Sequence, residues 1–135
     1  MSGALNLVVY LQYNLNLIHN TMGQKRQNIK NIDFSKGHRE FHGMQEFVNV
    51  IRKTQIVWSW GAHNWTKMSK FVLRFTVNGH HHKGHIYISV NGADYFDIYL
   101  TTNRGNIVEI IRDIDISSII GVIDDRIERI PEYVD

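Results

Sequence analysis

The stretch Asn78–Gly79–His80–His81–His82–Lys83–Gly84–His85 brings four imidazoles into six residues. Imidazole titrates near neutral pH and is the commonest transition-metal ligand, so acid–base chemistry and metal binding are the two chemistries such a run offers. In an extended segment His80 and His82 point to one side, and His85 can return across a hairpin, which makes His80, His82 and His85 candidate zinc ligands. His82, His85, Lys83 and Arg104 form a different set, a general acid–base group working on a scissile phosphate as in a small ribonuclease. The plain alternative is a solvated hairpin tip, because Asn78–Gly79 is a turn signal. The chain has no Cys, which removes thiolate nucleophiles, disulfides and Cys-based metal sites. It also lacks a Gly-rich phosphate loop, a Ser nucleophile elbow and a helical His-Glu-x-x-His pair.

A second set of residues follows from alternation. Phe71, Leu73, Phe75 and Val77 share one face of a strand, leaving Arg74 and Thr76 on the other with Tyr87, Tyr95, Asp97 and Tyr99 of neighbouring runs. Rings interleaved with cations suit single-stranded nucleic acid. Arg74, Tyr87, Tyr95, Tyr99, Lys83 and Arg104 are therefore the expected contacts to single-stranded nucleic acid or to a protein partner, and a homodimer through the same sheet is a further expectation. Cross-strand aromatic pairing is the structural alternative. Trp58, Trp60 and Trp65 surround Gly61 and read as core or edge packing, with Trp58 and Trp60 on one strand face.

These side chains need a scaffold, and the period of the apolar residues supplies one. Phe41, Met44, Phe47, Val48 and Ile51 repeat at helical spacing, which predicts a helix within 35–53 capped by Ser35. Gln55–Trp60 reads as a short strand. Phe71–Asn78, His85–Val90, Tyr95–Thr101 and Ile107–Ile111 read as strands joined by short turns at Asn78–Gly79, Asn91–Gly92 and Asn103–Arg104–Gly105, which only antiparallel neighbours allow. Ile116, Ile119, Ile120, Ile123, Ile127 and Ile130 mark a second helix, with Asp115 as its cap and Pro131 as its stop. The expected fold is α+β: an antiparallel meander of four or five strands packed on one face by an N-terminal and a C-terminal amphipathic helix.

At 135 residues, 43% hydrophobic and 21% charged, the chain has the composition of one ordered domain. Its net charge of +2 is unevenly spread. Seven Lys/Arg face three acids up to Lys53, six face three from Thr54 to Arg112, and two face seven thereafter. An acidic tail thus meets a basic body. The expected organisation is an arm over 1–34 and a single domain over 35–135. Residues 1–21 carry no charge, form neither a membrane span nor a signal peptide, and read either as part of that arm or as a translated leader ahead of Met22. The expected setting is cytoplasmic.

The segment from Trp58 to Arg112, with Trp58–Ser59–Trp60–Gly61–Ala62–His63 and Asn91–Gly92–Ala93–Asp94, resembles small uncharacterised proteins carried by phages and mobile elements of gut bacteria. It covers less than half of the chain. The resemblance implies a bacterial cytoplasmic setting and an accessory role in element maintenance or host interference, and it assigns no catalytic residue. Taken together, these readings favour a binding protein without a cofactor, with a small ribonuclease or a zinc-binding His cluster as the alternatives.

Overall fold

The computed structural model describes residues 27–128. The readings of residues 1–21 as a leader and of Ile130 and Pro131 as a helix end lie outside that range. A 3-10 turn over Ile29–Asn31 is followed by β1 (His38–Arg39), α1 (Met44–Arg52), α2 (Gln55–Trp58), β2 (His63–Lys67), β3 (Val72–Asn78), β4 (Lys83–Asn91), β5 (Phe96–Thr101), β6 (Ile107–Ile114) and α3 (Ile119–Ile127). Strands β2 to β6 lie side by side in chain order, every neighbouring pair antiparallel, and β1 pairs with β4. The fold is α+β, and the meander has five strands, within the expected four or five, its first being His63–Lys67 and not Gln55–Trp60.

The first helix begins at Met44, not after Ser35. Gly37 and Gly43 both take positive φ (72° and 69°), which interrupts the helical period that Phe41 starts. Ser35 instead closes a turn in which its amide and hydroxyl both donate to Asp33 Oδ1. The last helix begins later than its first isoleucine. Asp115 caps the preceding turn by accepting from the Ser118 amide at 2.9 Å, and Ile116 stays 64% exposed.

Gln55–Trp58 forms one helical turn, where a strand was expected. The difference matters for the tryptophans. A strand would put Trp58 and Trp60 on one face, whereas the helical turn leaves Trp58 68% exposed and buries Trp60 completely. Trp60 Nε1 donates to Asp124 Oδ1 of α3 at 2.9 Å, so the one polar atom of the buried indole is satisfied. The polar connection after Gly61 then forms β2, an edge strand whose register against β3 slips between His63 and Thr66.

Two apolar clusters sit on the two alternating sets of sheet residues. The larger joins Leu73, Phe75, Ile86, Ile88, Ile98 and Leu100 of the strands with Val48 and Ile51 of α1 and Ile119, Ile123 and Ile127 of α3. The smaller joins Val72, Tyr87 and Tyr99 with Ile29, and Ile32, Phe34, Ile107 and Ile110 pack against it. The second face was expected to be open. Residues 29–34 lie on it instead, because the tyrosine rings and Val72 offer enough apolar area there to repay covering.

Gly84 shows how closely β4 and β5 approach. A Cβ at this position would overlap the Thr101 carbonyl oxygen, a backbone atom that cannot swing aside. Gly84→Ala is expected to cost about 3 kcal/mol, the upper end of the usual overpacking penalty. Urea unfolding is the check: a midpoint unchanged from the parent would show that the strands yield freely.

Candidate functional site

The second face carries a polar group at each end, and the two have opposite character. At the β4–β5 turn end, Asp97 is 2% exposed and accepts from Asn91 Nδ2 at 2.9 Å, the Asp113 amide at 3.1 Å and Arg112 Nη1 at 3.2 Å. The Asp113 amide reaches it because β6 bulges opposite Asp97, the register moving from Ile98↔Ile111 to Phe96↔Ile114, with Asp113 at φ 62°. His38 Nδ1–H donates to the Lys36 carbonyl, which leaves Nε2 facing Asp97 Oδ2 at 3.8 Å and the Tyr99 hydroxyl at 3.5 Å. Burial pushes the Tyr99 phenol up, against the pull of nearby Arg112. This carboxylate spends its acceptor capacity on the protein's own donors. It clamps β1, β4, β5 and β6 together.

The opposite end is cationic. Thr76 of β3 and His85 of β4 are register partners whose Oγ1 and Nδ1 share a hydrogen bond of 2.9 Å, and His63 of β2 is the register partner of Thr76 on the other side. Burial pushes the His85 imidazole below its ordinary value, and Arg74, His63 and His82 push it further in the same direction; the Asn103 carbonyl opposes them. His82 is lowered by burial too, although the carbonyls of His85 and Thr101 and the carboxylate of Glu109 favour its charged form. None of these carbonyls is in hydrogen-bonding geometry with His82 Nε2. That atom and Arg74 Nε are buried without a hydrogen-bond partner, and Arg74 makes no ion pair among the described residues. Buried donors without acceptors are uncommon and destabilising. An anion would give Arg74 Nε its missing acceptor, and His82 Nε2 one as well once that nitrogen carries a proton.

The residues expected from the sequence divide between these ends and the interior. Arg74, His82 and His85 are brought together, with Lys83 and Arg104 exposed at the same end, one starting β4 and the other in the β5–β6 turn. His80 departs from the group: its amide donates to Glu128 Oε2 at 2.7 Å and its ring lies 4.8 Å from that of His81. The hairpin tip is therefore anchored to the end of α3, not a freely solvated loop, and the His81 amide donates to the Ile127 carbonyl. Among the described residues no three His, Cys, Asp or Glu side chains form a group able to hold a metal ion. Tyr87 and Tyr99, expected on an open surface, are 6% and 1% exposed. Tyr95 is 45% exposed but belongs to the Asp97 end. His63 and Thr76 were not among the expected contacts. Thr76 was legible as an outward strand position, whereas His63 became a neighbour only when the polar segment after Gly61 paired with β3.

No helix among the described residues is long and apolar enough to cross a membrane. Comparison of the chain with protein-family models, with curated proteins and with solved structures finds no match in any of the three.

Proposed function

We propose that this domain is a cytoplasmic, non-catalytic binding protein that holds single-stranded nucleic acid by its phosphates at the cationic end of the sheet, the opposite face being roofed by the helices. One observation carries the reading: on β3, two residues from the Thr76–His85 pair, Arg74 has a buried Nε without a hydrogen-bond partner and makes no ion pair among the described residues. The basic groups run from His63 on β2 to Arg104 after β5, three strand spacings or roughly 14 Å. That is wider than one phosphate and suits a chain of them. With Tyr87 and Tyr99 buried, base stacking contributes little at these positions, so binding is expected to discriminate weakly between sequences.

Anisotropy of a labelled single-stranded oligonucleotide, titrated at several salt concentrations, tests this. Three to five phosphate contacts give a slope of log K against log salt of roughly −2 to −3.5. Arg74→Gln should make that slope shallower by about 0.7 and weaken binding to all sequences alike. No binding at low salt, or binding unchanged in Arg74→Gln, overturns the proposal.

The same imidazoles favour a second reading, the small ribonuclease. His82 and His85 are held toward the neutral form, as a general base requires. RNA cleavage that vanishes in His85→Ala while oligonucleotide binding persists would select it.

A further inference from the structure

A groove of about 410 Å³ opens between α1 and the start of α3, lined by none of the residues of the cationic end. Phe41, Phe47 and Phe96 build its floor as a triangle of rings with centroids 5.3–5.6 Å apart, and Ile120 adds to the wall. Val50 and Ile116 stand on its rim, 67% and 64% exposed. Single exposed aliphatics are ordinary on a protein surface; two of them flanking an aromatic-floored groove mark a place where another surface is buried.

We infer that the occupant is a second copy of this chain, related by a two-fold axis that runs antiparallel α1 helices past one another at Val50. The charge pattern of α1 argues for this partner. Glu46, Val50 and Lys53 fall four and three residues apart, one stripe of the helix, with the acid in the first turn and the base at the C-cap. Glu46 stands about 6 Å before Val50 along the axis and Lys53 about 4.5 Å after it. Reversing the helix across a two-fold axis at Val50 therefore sets each Glu46 level with the partner's Lys53, offset by about 1.5 Å along the helix axis, while the two Val50 side chains meet at the axis and each apolar groove is closed over by the other. A surface that is its own complement is what an isologous dimer requires. The contact leaves the cationic end of the sheet clear, so a dimer presents two such ends.

Sedimentation velocity across a wide concentration range tests the inference directly. The expected species has twice the 15.8 kDa chain mass. Val50→Glu and Ile116→Glu alter exposed side chains, so folding should persist while the dimer dissociation constant rises at least tenfold. Glu46→Lys and Lys53→Glu should each weaken the dimer by bringing like charges together, and the double reversal should restore it. A monomer at every concentration overturns the inference. So does a dimer indifferent to Val50→Glu, or a double reversal no better than the single ones. Each result is independent of whether the oligonucleotide binds.

Discussion

Asp97→Ala is expected to lower the folding free energy by about 3–5 kcal/mol, a large part of the stability of a domain this size. The carboxylate is nearly inaccessible and receives the Asn91 amide, the Asp113 backbone amide and the Arg112 guanidinium. Removing it strands donors that were desolvated in order to meet it, and each stranded donor costs about 1–3 kcal/mol. Arg112 is 57% exposed, so its ion pair with Asp97 is screened and contributes the smaller share. The bulge leans on the same group, because Asp97 accepts from the Asp113 amide that the bulge turns toward it. Urea unfolding monitored by tryptophan fluorescence measures the loss; a change under about 1 kcal/mol would mean that water replaces the carboxylate without difficulty. Asp97→Asn keeps the shape and one acceptor oxygen, and should lie between the parent and alanine.

Oligonucleotide affinity is expected to rise as pH falls from 8 to about 5.5, by up to tenfold per pH unit for each imidazole that takes up a proton. In the free protein His82 and His85 are held below their ordinary value, first by burial and, for His85, by basic neighbours. A bound phosphate supplies the missing negative charge and raises both, so binding takes up protons and is favoured by acid. The effect levels off once pH is below the free-state values. Stability of the free protein moves the other way. In the unfolded chain both imidazoles titrate near 6.5, so below that pH the unfolded state binds more protons and the domain loses stability until the folded-state values are passed. Melting temperature with and without inorganic phosphate separates the two trends. The phosphate-induced rise should be larger at pH 5.5 than at pH 8, and an equal rise at both would remove the imidazoles from the site.

The strands of the meander were legible because their residues alternate over six or more positions and because turn residues separate them, as in Phe71–Asn78 followed by Asn78–Gly79. The short elements were not. Gln55–Trp58 is too brief for periodicity to separate one helical turn from a strand, and the choice falls to Trp60, whose burial against Asp124 is possible only if the chain turns there. β2 has a polar sequence with Asn64 at φ 55°, and it is a strand because β3 offers it a free edge. Of the candidate contacts, Arg74, His82 and His85 were named from sequence and meet in space, yet the reason first given for gathering histidines was a metal.

The sequence by itself determined which residues share a side of the sheet, since alternation is a property of the extended backbone and survives any packing. It also determined that basic groups prevail up to Arg112 and acids after it. Only the tertiary structure decided that the second side is covered as well. A tyrosine has both an apolar ring and a polar tip, so Tyr87 and Tyr99 satisfy a wet surface and a covered one equally well, and the choice was made by Ile29, Ile32 and Phe34 coming to rest on them. Folding also leaves Arg74 Nε and His82 Nε2 buried without a hydrogen-bond partner, a condition that no spacing along the chain records.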